Sequence, residues 1–217
     1  MLQRSGSMRR LFVLLVVLCA GSVAFGRLVF VDADPYAPGT DISNVFPAVK
    51  LTTYYDAGAV LGKVFSRRAS EPALASTGSN IFGHGVTGTD AHGRPRNESW
   101  IFPHVMLTVE LYDPADMVSL DIIGDNAGDI AAVDVYNAAL ELIDSGITPE
   151  LDYGQIARIE IKRDSYDVTF VVVSGINGSA VRIDNLRANV IPEPATFILL
   201  GLGGLVLASR RQATTAA

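Results

Sequence analysis

Cysteine, histidine and tryptophan are scarce in this 217-residue chain, which has one cysteine, three histidines and one tryptophan. Once a leader that contains Cys19 is removed, no residue remains to form a disulfide, a thiolate nucleophile or a cysteine-ligated zinc or iron–sulfur site. His84, His92 and His104 are separated by eight and twelve residues, a spacing that matches no compact metal motif. We interpret them as solvated loop side chains.

Basic side chains are also scarce in the middle of the chain. Residues 27–192 contain 12 Lys and Arg against 22 Asp and Glu, a net charge of −10. This charge repels phosphate backbones, which argues against nucleic acid as a partner. A segment of this length buries about 70% of its unfolded surface, so we expect it to fold without disulfides.

A membrane-spanning helix usually needs about 20 apolar residues. The apolar runs near the two ends of the chain are both shorter. The first run extends from Leu11 to Ala20, after Arg9 and Arg10, and small residues follow it. This order is typical of a secretory signal peptide. We therefore predict a signal peptide over residues 1–24, which signal peptidase cleaves after Ala24.

The second apolar run, residues 195–208, follows Pro192-Glu193-Pro194 and ends before Arg210 and Arg211. As a helix it is about 21 Å long, against about 30 Å of hydrocarbon. Arginines that reach the headgroups and local thinning of the bilayer close part of this gap, and the positive-inside rule places the arginines in the cytoplasm. We predict a short transmembrane helix over 195–208, within a segment of residues 191–212.

This C-terminal order resembles the PEP-CTERM sorting segment of bacterial exosortase substrates. The resemblance implies recognition by an exosortase-type processing enzyme, removal of the tail, and delivery to the cell surface or extracellular matrix. Before processing, the protein would be anchored in the membrane of the cell envelope. An ordinary C-terminal anchor is the alternative interpretation.

Apolar residues alternate with polar ones in many short segments of residues 25–190. The period of two predicts half-buried strands over 28–32, 49–55, 60–65, 105–111, 118–122, 157–161, 168–173 and 180–188. Turn signals such as Asp113-Pro114 separate them. The pattern predicts an all-β fold, a β-sandwich or barrel. Residues 66–103 show little periodicity, so we predict a long loop there. We expect Trp100 to fix the end of this loop to the core.

Residues 129–144 fit two interpretations. Ile130, Val133, Tyr136 and Leu140 have helical spacing, but the segment also reads as two strands joined by a turn. We predict the hairpin, although the turn lacks the glycine that a tight turn favours.

Three segments of this region carry a second resemblance: 36–44, 75–83 and 181–186. They are similar to segments of the β-sandwich ectodomains found ahead of PEP-CTERM tails, which resemble galactose-binding jelly rolls. The resemblance implies that fold and says almost nothing about a ligand, because jelly rolls host many functions.

No motif indicates catalysis, since there is no nucleophile elbow, metalloprotease motif or phosphate-binding loop in the sequence. We therefore expect a non-enzymatic cell-surface or matrix protein. The alternatives are a carbohydrate-binding module that contacts extracellular polysaccharide, and a secreted hydrolase. Exposed aromatic rings would favour the module, and the candidates are Tyr54, Tyr55, Trp100, Tyr112 and Tyr136.

Two groups of acidic side chains lie near the ends of the predicted sandwich. Asp32, Asp34 and Asp41 follow the first strand, and Asp184 lies in the last strand. In that last strand the alternation changes phase, and a bulge at Asp184-Asn185 would return both halves to the core. With Thr40 or backbone carbonyls, the four aspartates supply oxygens of the kind that Ca²⁺ binds, and jelly rolls of the resembled type often hold a calcium there. The other interpretation is four solvated aspartates.

Overall fold

The alternating segments form strands in the computed structural model, which describes residues 26–55, 60–85, 96–101 and 104–191. The predicted signal peptide with Ala24, the Pro192-Glu193-Pro194 motif, the helix over 195–208, and Arg210 and Arg211 lie outside the described residues. The strands described are β1 (Arg27–Val31), β2 (Val49–Tyr55), β3 (Val60–Gly62), β4 (Phe65–Arg68), β5 (Asn80–Gly83), β6 (Val105–Gly124), β7 (Ala131–Tyr136), β8 (Leu142–Ile147), β9 (Ile156–Lys162), β10 (Val168–Gly175) and β11 (Val181–Val190). Two short 3₁₀ helices, Pro72–Leu74 and Arg96–Glu98, are the helical elements of the described part.

The 20-residue strand β6 belongs to both layers of the fold. Its first half pairs with β2 and β10, and its second half pairs with β9 and β11. The turn predicted at Asp113-Pro114 is wrong, because both residues lie inside β6. Pro114 has no amide hydrogen to donate to a ladder, and it lies where β6 changes partners and the register with β10 shifts.

Two apolar faces meet in the core. The first layer has the order β3-β2-β6-β10-β7-β8, and the second has β4-β5-β11-β6-β9, with β1 also on β11. Leu51, Val109 and Val171 of the first layer and Leu120 and Ile183 of the second are buried in one cluster. The fold is therefore an all-β sandwich, as predicted, and its strands lie in one unit, Arg27–Val190.

The hairpin predicted within residues 129–144 is confirmed, and the helical interpretation is wrong. β7 and β8 pair antiparallel, and Leu140 in the turn takes the left-handed conformation, with φ 59°. The side chain of Asn137 stabilises this turn without a glycine. Its Oδ1 accepts hydrogen bonds from the amides of Ala139 (2.9 Å) and Glu141 (3.0 Å), and its Nδ2 donates to Glu141 Oε2 (2.7 Å).

The bulge predicted at Asp184-Asn185 is also confirmed. The register of β11 with β6 shifts between Asp184 and Arg187, and Asn185 has φ 47°. As a result, Ile183 before the bulge and Leu186 after it are both fully buried in the core.

The long loop predicted over 66–103 is wrong for part of its length. Residues 66–68 belong to β4, which pairs antiparallel with β5. The sequences of β4 and β5, FSRR and NIFG, are too short and too irregular to show a period of two. Trp100 lies in the core as expected, with none of its surface exposed, and its Nε1 donates a hydrogen bond to the carbonyl of Phe82 (3.1 Å).

Among the residues described, none of the helices is long and apolar enough to cross a membrane. The helix predicted over 195–208 lies outside that range and stays a prediction.

Candidate binding groove, aspartate cluster and buried ion network

A groove of about 370 Å³ crosses the outer face of the first layer. We call it the sheet-face groove, and its lining residues come from three neighbouring strands: Lys50, Thr52 and Tyr54 of β2, Met106, Thr108 and Glu110 of β6, and Phe170 and Val172 of β10. The volume lies in the range typical of small-ligand sites.

Strand register brings these residues together in rows. Lys50 lies opposite Glu110, and Glu110 lies opposite Phe170. The next row contains Thr52, Thr108 and Val172, and Tyr54 lies opposite Met106. Side chains alternate along a strand, so these residues point outward while Leu51, Val109 and Val171 point into the core.

One ion pair lies at the edge of the groove. Lys50 Nζ is 3.4 Å from Glu110 Oε2, and both side chains are about half exposed. Tyr54 and Phe170 are partly buried on the two flanking strands. The groove therefore offers two aromatic rings, an apolar floor and a neutralised pair of charges.

The same sheet face continues onto β7. Tyr136 lies opposite Phe170, with ring centroids 6.2 Å apart, and Asp134 lies opposite Val172. Burial raises the pKa of Asp134. Burial, and then the negative charge of Asp134, raise the pKa of Tyr136, so the carboxylate lies near the phenol.

Sequence reasoning named Tyr54 and Tyr136 among the candidate aromatic residues but missed the rest of this face. Phe170 lies in the run Val168–Val173, where apolar residues occupy both faces, so alternation alone does not show which side chains are exposed. Of the other candidates, Trp100 is buried, Tyr55 packs against the core, and Tyr112 is exposed outside the groove lining.

Asp34 and Asp184 both bind the loop 76–79, although they come from opposite ends of the chain. Asp34 accepts hydrogen bonds from the amides of Ser79 and Asn80 (both 2.8 Å) and from Thr77 Oγ1 (3.1 Å). Asp184 accepts from the amide and the hydroxyl of Ser76 (3.1 and 2.9 Å). We call Asp34, Asp184 and residues 76–79 the 76–79 cluster.

Asp184 is fully buried, and burial raises its pKa to about 6 although it accepts several hydrogen bonds. Asp121 lies beside it and also accepts from the Ser76 hydroxyl (3.0 Å), but Arg158 holds Asp121 in a bidentate pair (2.7 and 3.0 Å). Sequence reasoning missed Asp121, Ser76 and Thr77, because strands and loops distant in sequence bring them to Asp184.

Asp41 and Asp32 make other contacts. Asp41 pairs with Lys63 (2.8 Å) and accepts from the Ser43 amide (3.1 Å). Although burial acts in the opposite direction, these partners hold the pKa of Asp41 below its usual value. Asp32 accepts from the Asp34 amide (2.9 Å). In the described part of the chain, no three acidic or histidine side chains are placed to hold a metal ion, and calcium binding stays a prediction.

A buried ion network lies where β11 meets the segment before Trp100. The side chain of Arg182 is fully buried; its Nη1 is 3.1 Å from Asp125 Oδ2, its Nε is 3.6 Å from Glu98 Oε2, and it also contacts Ser99 Oγ. Burial raises the pKa of Glu98, and the positive charge of Arg182 opposes this shift.

His84 lies next to this network and corrects the interpretation of the histidines as solvated. It is 1% exposed, its Nε2 is 2.8 Å from the carbonyl of Ser99, and its ring packs edge-on against Trp100. Burial lowers the pKa of His84 to about 4. His104 is exposed, and His92 lies outside the described residues.

Comparison with known proteins finds one sequence motif in this chain and several solved structures with a similar fold. Residues 190–212 match the PEP-CTERM protein-sorting motif. No curated protein sequence matches the chain.

Many solved structures are similar to the chain at low identity, and three of them illustrate the range. The K2 cleaved adhesin domain of Lys-gingipain is 12% identical (75% of this chain and 97% of that chain, TM-score 0.46). A putative sugar binding protein from Bacteroides thetaiotaomicron is 10% identical (73% and 97%, TM-score 0.43), and a family 29 carbohydrate binding module from Piromyces equi is 4% identical (75% and 91%, TM-score 0.39). The chain is thus an exported protein that carries a PEP-CTERM protein-sorting motif at residues 190–212, after an all-β sandwich.

Proposed function

We propose that this protein is a non-catalytic carbohydrate-binding module of the cell surface or extracellular matrix, and that the sheet-face groove binds an extended polysaccharide. The observation that supports it is the groove itself. Tyr54 and Phe170 lie on the two strands that flank β6, with Met106 and Val172 beside them. A sugar ring has an apolar C–H face and a polar rim, so it can pack against such rings while its hydroxyls bond to polar groups and water.

Charge narrows the class of polysaccharide. Residues 27–192 have a net charge of −10, and like charges repel over about 8–10 Å at physiological salt. We therefore expect neutral or cationic glycans rather than polyuronates or sulfated chains.

The groove lining also favours binding over hydrolysis. Glycosidases usually place two carboxyl groups on either side of the scissile bond, about 5–9.5 Å apart. Glu110 is the one acidic residue among the described residues that line the groove, and Lys50 pairs with it.

Alanine at Tyr54 or Phe170 is expected to weaken glycan binding by about tenfold or more, because a central aromatic contact is worth about 1.4 kcal/mol or more. Ligands found on a glycan array would be titrated against each variant by calorimetry. The matched control is Tyr153→Ala, since Tyr153 lies in the loop before β9, is 38% exposed, and is not part of the groove lining. Equal affinities for Tyr54→Ala, Phe170→Ala and wild type, or no glycan bound at all, would contradict the proposal.

We also propose the processing route, which the PEP-CTERM motif supports. Signal peptidase removes residues 1–24, the C-terminal segment holds the protein in the membrane, and an exosortase-type enzyme then cuts near Pro192-Glu193-Pro194. Mass spectrometry of the exported protein should find an N-terminus at Phe25 and a C-terminus near this motif. Alanine at all three motif positions is expected to preserve the intact end with Arg210 and Arg211. Recovery of that intact end from the wild-type protein, in a host that has the processing enzyme, would reduce the tail to a plain anchor.

A further inference from the structure

We propose that the glycan bound in the sheet-face groove carries protonated amino groups, and that Asp134 selects for them. This inference rests on the proposed function and names the chemical class of its ligand. It starts from the position of Asp134, which adjoins the groove on β7, opposite Val172 of the groove lining and two residue pairs along from Tyr136 and Phe170.

Among the residues that the structure describes, Asp134 has no partner of opposite charge. In the part of the chain that the structure describes, no hydrogen-bond donor and no cation contacts its carboxylate, and its neighbours across the strands are Val172 and Ser145. Glu110 on the same face differs, because Lys50 is 3.4 Å away.

The surroundings of Asp134 favour the binding of a positively charged group of a ligand. The side chain is half-buried, and this burial raises its pKa. A carboxylate that has lost part of its hydration without gaining a partner is costly. A charged N–H donor arriving with the ligand would form a hydrogen bond that is about twice as strong as a neutral one.

An amino sugar fits this site better than a cationic peptide. Extended peptides gain affinity by pairing with the free edge of a sheet, but β10 and β7 are internal strands whose backbone groups already pair with each other and with β6 and β8. A peptide lying across this face would find no backbone partners. A polysaccharide needs none, since its hydroxyls bond to side chains and to water on the open side of the groove.

The experiment compares three hexasaccharides with the same β-1,4 linkage, which carry at C2 an amine (glucosamine), an acetamide (N-acetylglucosamine) or a hydroxyl (glucose). Wild-type protein is expected to bind the amine form about tenfold more tightly than the other two, the ratio that one charge-assisted contact supports. Added salt should reduce this ratio, because screening weakens the ionic contact.

Asp134→Asn keeps the shape of the side chain and should bring the preference for the amine hexamer below about twofold, because the charge-assisted contact is lost. Glu150→Gln is the matched control, because Glu150 is exposed between β8 and β9 and lies outside the groove lining. Melting curves would verify that both variants are folded. Oligolysine of equal charge tests whether positive charge alone is sufficient for binding, without a sugar ring.

The outcomes separate the two proposals. Equal binding of the three hexamers, lost in Phe170→Ala, would overturn the selection for amines and leave the groove as a glycan site. A preference that persists in Asp134→Asn, or oligolysine binding as tight as that of the amine hexamer, would also overturn this inference. Binding of none of the three hexamers would overturn this inference, and a glycan array without any bound ligand would overturn the proposed function with it.

Discussion

Replacement of Arg182 by methionine is expected to lower the free energy of unfolding by about 3–5 kcal/mol. Methionine fills a similar volume but carries no charge, so the carboxylates of Glu98 and Asp125 would remain buried without the guanidinium that lies 3.6 and 3.1 Å from them. Both residues are almost fully buried, so water cannot replace the lost cation. Urea unfolding at neutral pH would measure the change as a lower midpoint.

Arg68→Met provides the matched control, because Arg68 is exposed at the end of β4, and its loss should change stability by less than about 0.5 kcal/mol. Glu98→Gln and Asp125→Asn added to Arg182→Met should restore part of the lost stability, since the two carboxylates that face Arg182 are then replaced by neutral amides. If Arg182→Met unfolds at the same midpoint as Arg68→Met, the network contributes no more than a surface charge.

Asp184→Asn is expected to remove a pH-dependent loss of stability that the wild-type protein shows between about pH 4 and pH 7. The pKa of Asp184 is about 6 in the fold against 3.8 as the ordinary value, so the protonated carboxyl stabilises the native state. This contribution is fully present below the ordinary pKa and is lost as the pH rises through about 6. Its size is about 3 kcal/mol. Urea unfolding of both proteins across this range, as a difference curve, isolates Asp184.

The difference curve is needed because other groups titrate in the same range. The pKa of His84 is lowered by burial to about 4, so its contribution to stability is lost as the pH falls below about 6.5, the opposite direction. Asp41→Asn is the matched control, because the pKa of Asp41 is lowered from 3.8, so its contribution changes only below that pH and its difference from wild type should stay constant from pH 4 to pH 8. A wild-type minus Asp184→Asn difference that stays constant from pH 4 to pH 8 would contradict the raised pKa of Asp184.

Bound calcium would change the stability difference between wild type and Asp184→Asn at neutral pH. A cation bound by Asp34 and Asp184 would favour the charged carboxylates and stabilise the fold by about 2.7 kcal/mol at a hundredfold excess over Kd. We expect Asp184→Asn to lose this gain and Asp41→Asn to keep it, since Asp41 pairs with Lys63 instead. Melting curves of the wild type that coincide in EDTA and in millimolar calcium would overturn the calcium prediction.

Local patterns in the sequence were sufficient for most strands, the hairpin and the bulge. The alternation over Val49–Tyr55 reproduces β2 residue for residue, and the change of phase at Asp184-Asn185 located the bulge in β11. Both signals are contained in a few neighbouring residues, because side chains alternate between the two faces of a strand. The Pro-Glu-Pro motif and the arginines that follow the apolar run were likewise recognised from the sequence alone, and this segment matches the sorting motif.

Tertiary structure alone decided which strands meet. The sheet-face groove combines residues between Lys50 and Val172, and the 76–79 cluster joins Asp34 to Asp184. These contacts depend on which strands pair and in what register, a choice between distant segments that no local period contains. For the same reason β6 was expected to break at Pro114, whereas in the fold it continues from one layer into the other.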